Sequence, residues 1–431
     1  MSKTPEQLYQ EREQRVMDAI ALKKPDRVPF FPCCNLMAVK YTGITPAKAF
    51  YDYDAWFDAN EKMLADLEPD IYWPAMSAYP GRSFDALQLR QLKWPGGGDA
   101  PDHSGIQYTD NEYMKPEEYD RFLDDPTDYF IRCYLPRVFG SLEPLKNLPY
   151  FPTLFYAGYR GAMTCAALAN PDYVKAIEAL YKAALESAEY YRKMAEFDNR
   201  MAALGRPGAF AAASCWAPFD VFGDVHRGMR GTMMDLYRRP DKLLAAIEKI
   251  TPAILQGAIA NAKRSNIKRV FIPLHWGADN FMSDDQFKTF YWPGLKKIIL
   301  ALIDEGLTPC PFFEGEYTSR LKYLTELPKG KVMGWFDRVD MVKAKEMLKD
   351  IMCICGNMPT TVLQFGPAES VREETKKLID IAGKGGGFVM SCRSVLALRI
   401  PVCKGLEKGD DRVLLILREP QVSKLFLVEI G

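Results

Sequence analysis

The sequence predicts an α/β chain folded as a (β/α)8 TIM-type barrel, and three observations predict it. Short apolar runs rich in β-branched or aromatic residues recur through the C-terminal half, at 269–274, 309–313, 332–336, 351–354 and 387–391. Segments long enough for a helix separate them, at 284–305, 318–327, 341–348 and 367–381. Each run also ends on a residue able to bind a metal or move a proton: His275, Glu314, Asp337, Cys355 and Cys392. Alternating strands and helices imply parallel pairing with right-handed crossovers. In a closed parallel barrel the C-terminal strand ends open onto one mouth, so residues far apart in the chain converge there.

The N-terminal half supplies the remaining elements. Charges interleaved with Leu8, Val16, Ala19 and Ile20 predict a surface helix over 5–22, and Lys24-Pro25-Asp26-Arg27 leads into a first strand at 28–32. A helix at 47–67 and a second strand at 70–73 complete one βαβ unit. Periodicity then weakens over 80–150, where Gly96-Gly97-Gly98-Asp99-Ala100-Pro101 is loop chemistry, and this stretch is expected to be an insertion capping the mouth. Strand character resumes at 153–157, a long helix follows at 171–197 with Val174, Ile177, Tyr181, Ala184 and Ala188 at helical spacing, and 209–215 is a further strand. Trp216-Ala217-Pro218-Phe219-Asp220 breaks that strand before helices at 229–236 and 240–265. With the five later runs there are nine candidates for the eight strands of a barrel, so one is peripheral or misassigned. The chain reads as a single domain, 1–431, with an atypical tail at 393–431.

Bulk properties narrow the function. The chain has 431 residues and is 48% hydrophobic, enough for one large core or two moderate ones. Lys and Arg total 56 and so do Asp and Glu, leaving no net field to gather nucleic acid or an anionic membrane. No apolar run approaches the roughly 20 residues of a membrane span. Glu6, Glu11 and Glu13 stand where a signal peptide would have its apolar core, so a cytoplasmic enzyme acting on a small molecule is expected. Ten cysteines at irregular spacing, close only at Cys33-Cys34 and Cys353-x-Cys355, read as buried thiols.

Histidine is scarce, at three residues, so position carries weight. His103 falls in the insertion and is expected to face solvent, and His226 lies among charged neighbours where a structural hydrogen bond is expected. His275 closes an apolar strand and is delivered to the mouth, as a site residue or as a satisfied core histidine. Glu314 emerges from Pro311-Phe312-Phe313, where desolvation should raise its pKa or demand a cation, Arg320 being the bland alternative. His275, Glu314, Cys355 and Cys392 are residue types that zinc accepts, although no compact metal motif joins them. Arg338 and Arg393 could bind a carboxylate or phosphate. Tyr72, Trp73, Phe155, Tyr159, Trp216, Phe219, Trp276, Trp335 and Phe336 place aromatic surface near strand ends, suited to a flat ring or simply to a core.

Stretches at 15–29, 217–220, 281–306 and 356–390 resemble the uroporphyrinogen decarboxylase superfamily, through Lys24-Pro25-Asp26-Arg27-Val28-Pro29, Gly356-Asn357-Met358-Pro359 and Gly383-Lys384-Gly385-Gly386-Gly387-Phe388. The resemblance implies a (β/α)8 barrel and two activity classes, porphyrin decarboxylases and corrinoid-dependent methyltransferases. Decarboxylases of the family carry an Arg-rich segment after the first strand, and Cys33-Cys34-Asn35-Leu36-Met37-Ala38 has no Arg. A polycarboxylate would then be left with unpaired charge. The methyltransferases carry a His-x-Cys pair on one strand and a Cys on the last, as zinc ligands. Cys392 matches the last, while Phe312-Phe313-Glu314 stands at the pair, so His275 or Cys355 would have to complete the site. The tail departs too, since Pro401 is hostile to a helix interior.

The expectation is a methyltransferase moving a methyl group from a small methylated compound, such as a methyl ether, to a corrinoid on a partner protein with zinc assistance. Glu314, His275 and Asp337 are its expected catalytic residues, Trp276, Trp216, Tyr72, Arg338 and Arg393 its substrate contacts, and a homodimer is compatible. The alternatives are a tetrapyrrole decarboxylase and a catalytically silent binding barrel.

Overall fold

The computed structural model describes residues 3–97, 100–101, 104–211 and 214–393. Five parallel strands stand in chain order: Arg269–Leu274, Thr308–Glu316, Met333–Arg338, Cys353–Met358 and Phe388–Cys392. Three shorter extended segments carry the pairing around to the start. Phe31 N–H donates to Met390 O (2.9 Å) and Met390 N–H to Pro29 O (2.9 Å), joining the last strand to the first segment. Asp70 N–H then reaches Phe30 O (3.0 Å), Ala209 N–H reaches Tyr72 O (2.8 Å), and Cys215 N–H reaches Phe271 O (2.9 Å). The ring therefore has eight staves, the number a barrel of this class needs.

The ninth strand candidate is resolved. Residues 153–157 do not form a strand: Phe151–Phe155 is a short exposed helix with Pro152 in its first turn, where a fixed φ favours helix entry. The insertion is correspondingly longer than 80–150, running as short helices up to Asn170 with one two-stranded ribbon, Leu92–Lys93 against Gln107–Tyr108. His103 and the tail beyond Arg393 lie outside the described residues. One helix, Pro240–Lys263, is long and apolar enough to cross a membrane by length and composition, contrary to the expectation. Leu243, Ala246, Ile247 and Ala258 on one of its faces are buried in the fold.

Aromatic rings fill the barrel. Phe31, Trp73, Phe210, Phe271, Phe312 and Trp335 contact one another, the tightest pair being Phe312 and Trp335 at 4.1 Å between centroids. Trp335 Nε1–H also donates to Cys392 O (3.0 Å), so the one polar edge of that ring is satisfied.

Charged groups fasten the N-terminal helix, Pro5–Ile20, onto the ring. Arg269 is buried, its guanidinium bonded to Gly208 O, Ala209 O and Glu13. Asp70, fully buried, accepts from Phe30 N–H (2.8 Å), Arg15 Nη1 (2.6 Å) and both Nη atoms of Arg27 (2.5 and 2.7 Å). Replacing Asp70 with Ala would take the acceptor from Phe30 N–H, from Arg27 and from one nitrogen of Arg15, which keeps Glu11 and Asp26, so the loss should be about 3 kcal/mol, the low end for a broken buried pair. Chemical denaturation of D70A is expected to show a loss of that size, and a loss below about 1 kcal/mol would refute the role assigned to this carboxylate.

Candidate active site

The strand Arg269–Leu274 delivers His275 to the mouth, and two acids one helical turn apart take hold of it. Asp220, in the short helix Pro218–Val221, is fully buried and accepts from His275 N–H (2.9 Å), Trp276 N–H (3.3 Å) and Tyr291 OH (2.8 Å). Asp224 pairs with His275 Nδ1 (2.7 Å) and accepts from Trp276 Nε1–H (2.7 Å). The backbone at Gly223 is required for this approach, because a Cβ there would lie 2.3 Å from the Trp276 ring. Trp216 stands edge-on to the imidazole at 6.2 Å.

With Nδ1 engaged, His275 Nε2 faces Glu314 Oε2 at 3.7 Å. Asp337, on the next strand, accepts from Gly315 N–H (3.0 Å). Glu314 keeps about half of its side-chain area open (51%) while its carboxylate faces His275. Burial and the charges of Asp337 and Asp224 push its pKa up, with His275 opposing. Burial also raises Asp337, against the Gly315 N–H and the Arg338 and Arg393 charges. Burial alone would lower His275, but the Asp224 bond and the charges of Asp224, Asp220 and Glu314 outweigh it and lift the imidazole to about 9. Burial and the Asp224 charge raise Asp220 in turn.

The expected site residues divide accordingly. His275, Glu314, Asp337, Trp276 and Trp216 come together. Arg338 is exposed beside Asp337, and Arg393 donates from Nε to Asn357 O (3.3 Å). Tyr72 does not belong to the mouth: it is buried, its hydroxyl bonded to Asp198 (2.7 Å) and its ring against Phe197. Side chains alternate along an extended segment, so with Trp73 turned into the barrel Tyr72 faces the outer helix.

The four-ligand metal set is not assembled. Cys355 does not end its strand, because pairing continues through Gly356 and Asn357, and its thiol is fully buried. Cys392 instead meets the first stave: its Sγ lies 3.9 Å from Cys33 O, and hydrogen bonding to Cys33 lowers its pKa while burial raises those of Cys33 and Cys34. Among the described residues no three His, Cys, Asp or Glu side chains are arranged to hold a metal ion, and the nine described cysteines are free thiols. His275 and Glu314 are two zinc-competent donors that do stand together, and two fall short of the three a catalytic zinc uses.

Sequence reasoning missed Asp220 and Asp224. Their spacing was a usable signal, since acids four apart share a helix face, but they follow Trp216-Ala217-Pro218, which reads as a strand breaker. His226 took the structural role expected of it, buried with Nδ1 near Val221 O (3.0 Å) and its pKa lowered by burial to about 4.

A raised histidine pKa means the folded state holds the proton more tightly than the unfolded chain. The stability His275 contributes is thus complete below about 6.5 and lost as pH rises through about 9. In Asp224→Asn the imidazole should titrate closer to 6.5, read from its ring-proton NMR shifts, and an unmoved titration would contradict the assignment.

Comparison with known proteins places the fold and the family. The family model for uroporphyrinogen decarboxylase (URO-D) matches residues 179–401. The uroporphyrinogen decarboxylase of Chlorobium phaeobacteroides is 25% identical over 193 residues, 44% of this chain and 52% of that protein. That of Geobacter metallireducens is 26% identical over 204 residues, 47% and 56% of the two chains. The chain thus spans about half the length of the curated relatives it matches. A solved methyltransferase from Methanosarcina mazei shares the fold, with a TM-score of 0.57 over 94% of this chain and 98% of that one at 13% identity. With more than half of its length matched by the family model and an eight-stave parallel ring around the site, the chain belongs to the uroporphyrinogen decarboxylase (URO-D) family.

Proposed function

We propose that the protein is a methyltransferase that takes a methyl group from a small methylated compound, such as a methyl ether, and passes it to the cobalt of a corrinoid carried by a partner protein. The observation that carries this reading is the mouth's charge: a protonated His275, clamped by Asp224, faces Glu314 with Asp337 nearby. That is a proton-donating centre among carboxylates. A substrate with many carboxylates would meet repulsion there, and the segment after the first stave offers Cys33, Cys34, Asn35 and Leu36 without a cation.

Breaking a methyl–oxygen bond leaves the electron pair on oxygen, which needs a proton as the methyl departs. The reduced corrinoid of the partner would be the nucleophile that accepts the methyl. His275 Nε2, with Glu314 beside it, is aimed into the mouth to give that proton, and Asp224 holds the ring in place and stabilises its charge. Trp216 and Trp276 supply apolar surface beside the imidazole and Asp224. Zinc could polarise the same oxygen, but the donors present do not complete a site for it, and no step here passes through zinc.

The curated relatives keep decarboxylation as the competing activity. Incubation with reduced cobalamin and a panel of methyl ethers should form methylcobalamin, read by its absorbance. His275→Gln should lower kcat about 10²–10⁴-fold, the usual worth of a general acid. Absence of transfer from every donor, with carbon dioxide released from uroporphyrinogen instead, would reject the proposal.

A further inference from the structure

The insertion reaches the mouth through its two-stranded ribbon. Leu92 pairs with Tyr108 across it, and Thr109 N–H donates to Gln91 O (2.9 Å). Both flanks of the ribbon are fastened to the turn that carries Asp224. Gln91 Nε2–H donates to Val225 O (3.0 Å), Met114 N–H to His226 O (2.7 Å), and Met229 N–H to the Asp110 carboxylate (3.3 Å). Buried Arg227 donates to Met114 O (2.6 Å) and to Glu112 (3.0 Å). So close a contact needs glycine at 228, where φ is +69° and a Cβ would lie 2.7 Å from Asp110 Oδ1 and 2.9 Å from Asn111 O. The ribbon's position is therefore tied to that of Asp224.

Tyr108 keeps 77% of its area open, and its hydroxyl pairs with that of Tyr79, whose ring packs on Phe50 and Phe84. Two phenols bonded to each other use one proton for the bond and keep another to donate. The charges of Asp224 and Glu314 both reach the Tyr108 hydroxyl, and these are the acids on either side of the His275 imidazole, Asp224 at Nδ1 (2.7 Å) and Glu314 at Nε2 (3.7 Å). Phenol and imidazole thus share their two acidic neighbours. Desolvation, Tyr79 and the two acids push the Tyr108 pKa up, so the phenol stays neutral and protonated.

We infer that Tyr108 is a second hydrogen-bond donor to the substrate, directed with His275 at the oxygen from which the methyl group is taken, an assignment that rests on the methyl-transfer reading above. In that step the methyl–oxygen bond breaks, the methyl passes to the partner's reduced corrinoid, whose electron pair forms the new bond, and the old pair stays on oxygen. His275 Nε2 gives that oxygen its proton. Tyr108 keeps its own proton and stabilises the charge that builds on oxygen before the transfer is complete. A neutral donor suits an acidic rim, because Asp224 and Glu314 would capture a cationic one as a salt bridge.

A matched pair of ligands tests this without turnover. Methoxybenzene and ethylbenzene have the same shape and differ by oxygen in place of a methylene, and tryptophan fluorescence of the full chain reads their binding, since Trp216 and Trp276 stand at the mouth. Tyr108→Phe should reduce the wild-type preference for methoxybenzene about 5-fold, the worth of one neutral hydrogen bond. Its affinity for ethylbenzene and its circular dichroism should not change. Tyr79→Phe leaves the Tyr108 hydroxyl in place and should cost less, and Tyr237→Phe, at an exposed tyrosine on another helix, should cost nothing. With a methyl ether that the wild type turns over, Tyr108→Phe should lower kcat about 10²-fold and raise KM no more than about 5-fold. An unchanged preference, a loss shared equally by both ligands, or a wild type that binds neither overturns the inference. So does a loss in Tyr79→Phe as large as that in Tyr108→Phe. Absence of methyl transfer with the Tyr108-dependent preference intact rejects the transfer reading alone and leaves Tyr108 as an oxygen-binding residue of the mouth.

Discussion

Closure of the ring between residues 29–31 and Met390 is the constraint on which everything else depends. Parallel pairing gives every strand the same polarity, and only a closed ring turns that polarity into one shared rim. His275, Glu314 and Asp337 come from three different strands and meet because of it. Asp70 secures the first two staves and the N-terminal helix to each other, and Asp220 performs the same service at the mouth by gathering two backbone amides and a tyrosine. Both are short, fully buried acids that accept several hydrogen bonds, the condition under which a buried acid is tolerable.

Alternation along the strands relates the site to the core beneath it. Phe312 lies two residues before Glu314 and Trp335 two before Asp337, so each acid stands on the same strand face as a ring of the aromatic filling. The acids and His275 therefore stand directly above the aromatic filling of the barrel. Partial burial of both side chains makes the His275–Asp224 pairing stronger than it would be in water.

Much of this was legible from the residues, and the failures have physical causes. The five C-terminal strands stood out because β-branched and aromatic runs there are bounded by helix-length polar segments, and His275 stood out because histidine is scarce. The run at 153–157 misled because its aromatic side chains suit a strand as well as an exposed helix, and Pro152 decided for the helix. Strand ends were placed too early at Glu314 and Cys355, since Gly315 and Gly356 read as exits while the backbone continues to pair or to accept side-chain contacts beyond them. Cys392 was located correctly on the last strand, but its neighbours come from the first stave, a pairing that only ring closure creates. Asp224, which fixes the charge state of the site, belongs to a helix that no strand pattern could reveal.

The contact between Phe31 and Met390 also bears on how the chain is made. The opening stave is made before the other seven and its neighbour across the seam after them, and long-range parallel pairings form slowly. Until then two rows of backbone amides and carbonyls lie open at the unfinished margins, the kind of surface on which foreign strands add. High expression should therefore enrich for aggregates of chains whose ring is still open, and holding the N-terminal staves soluble until Phe388–Cys392 has been made is the task the folding environment has to meet.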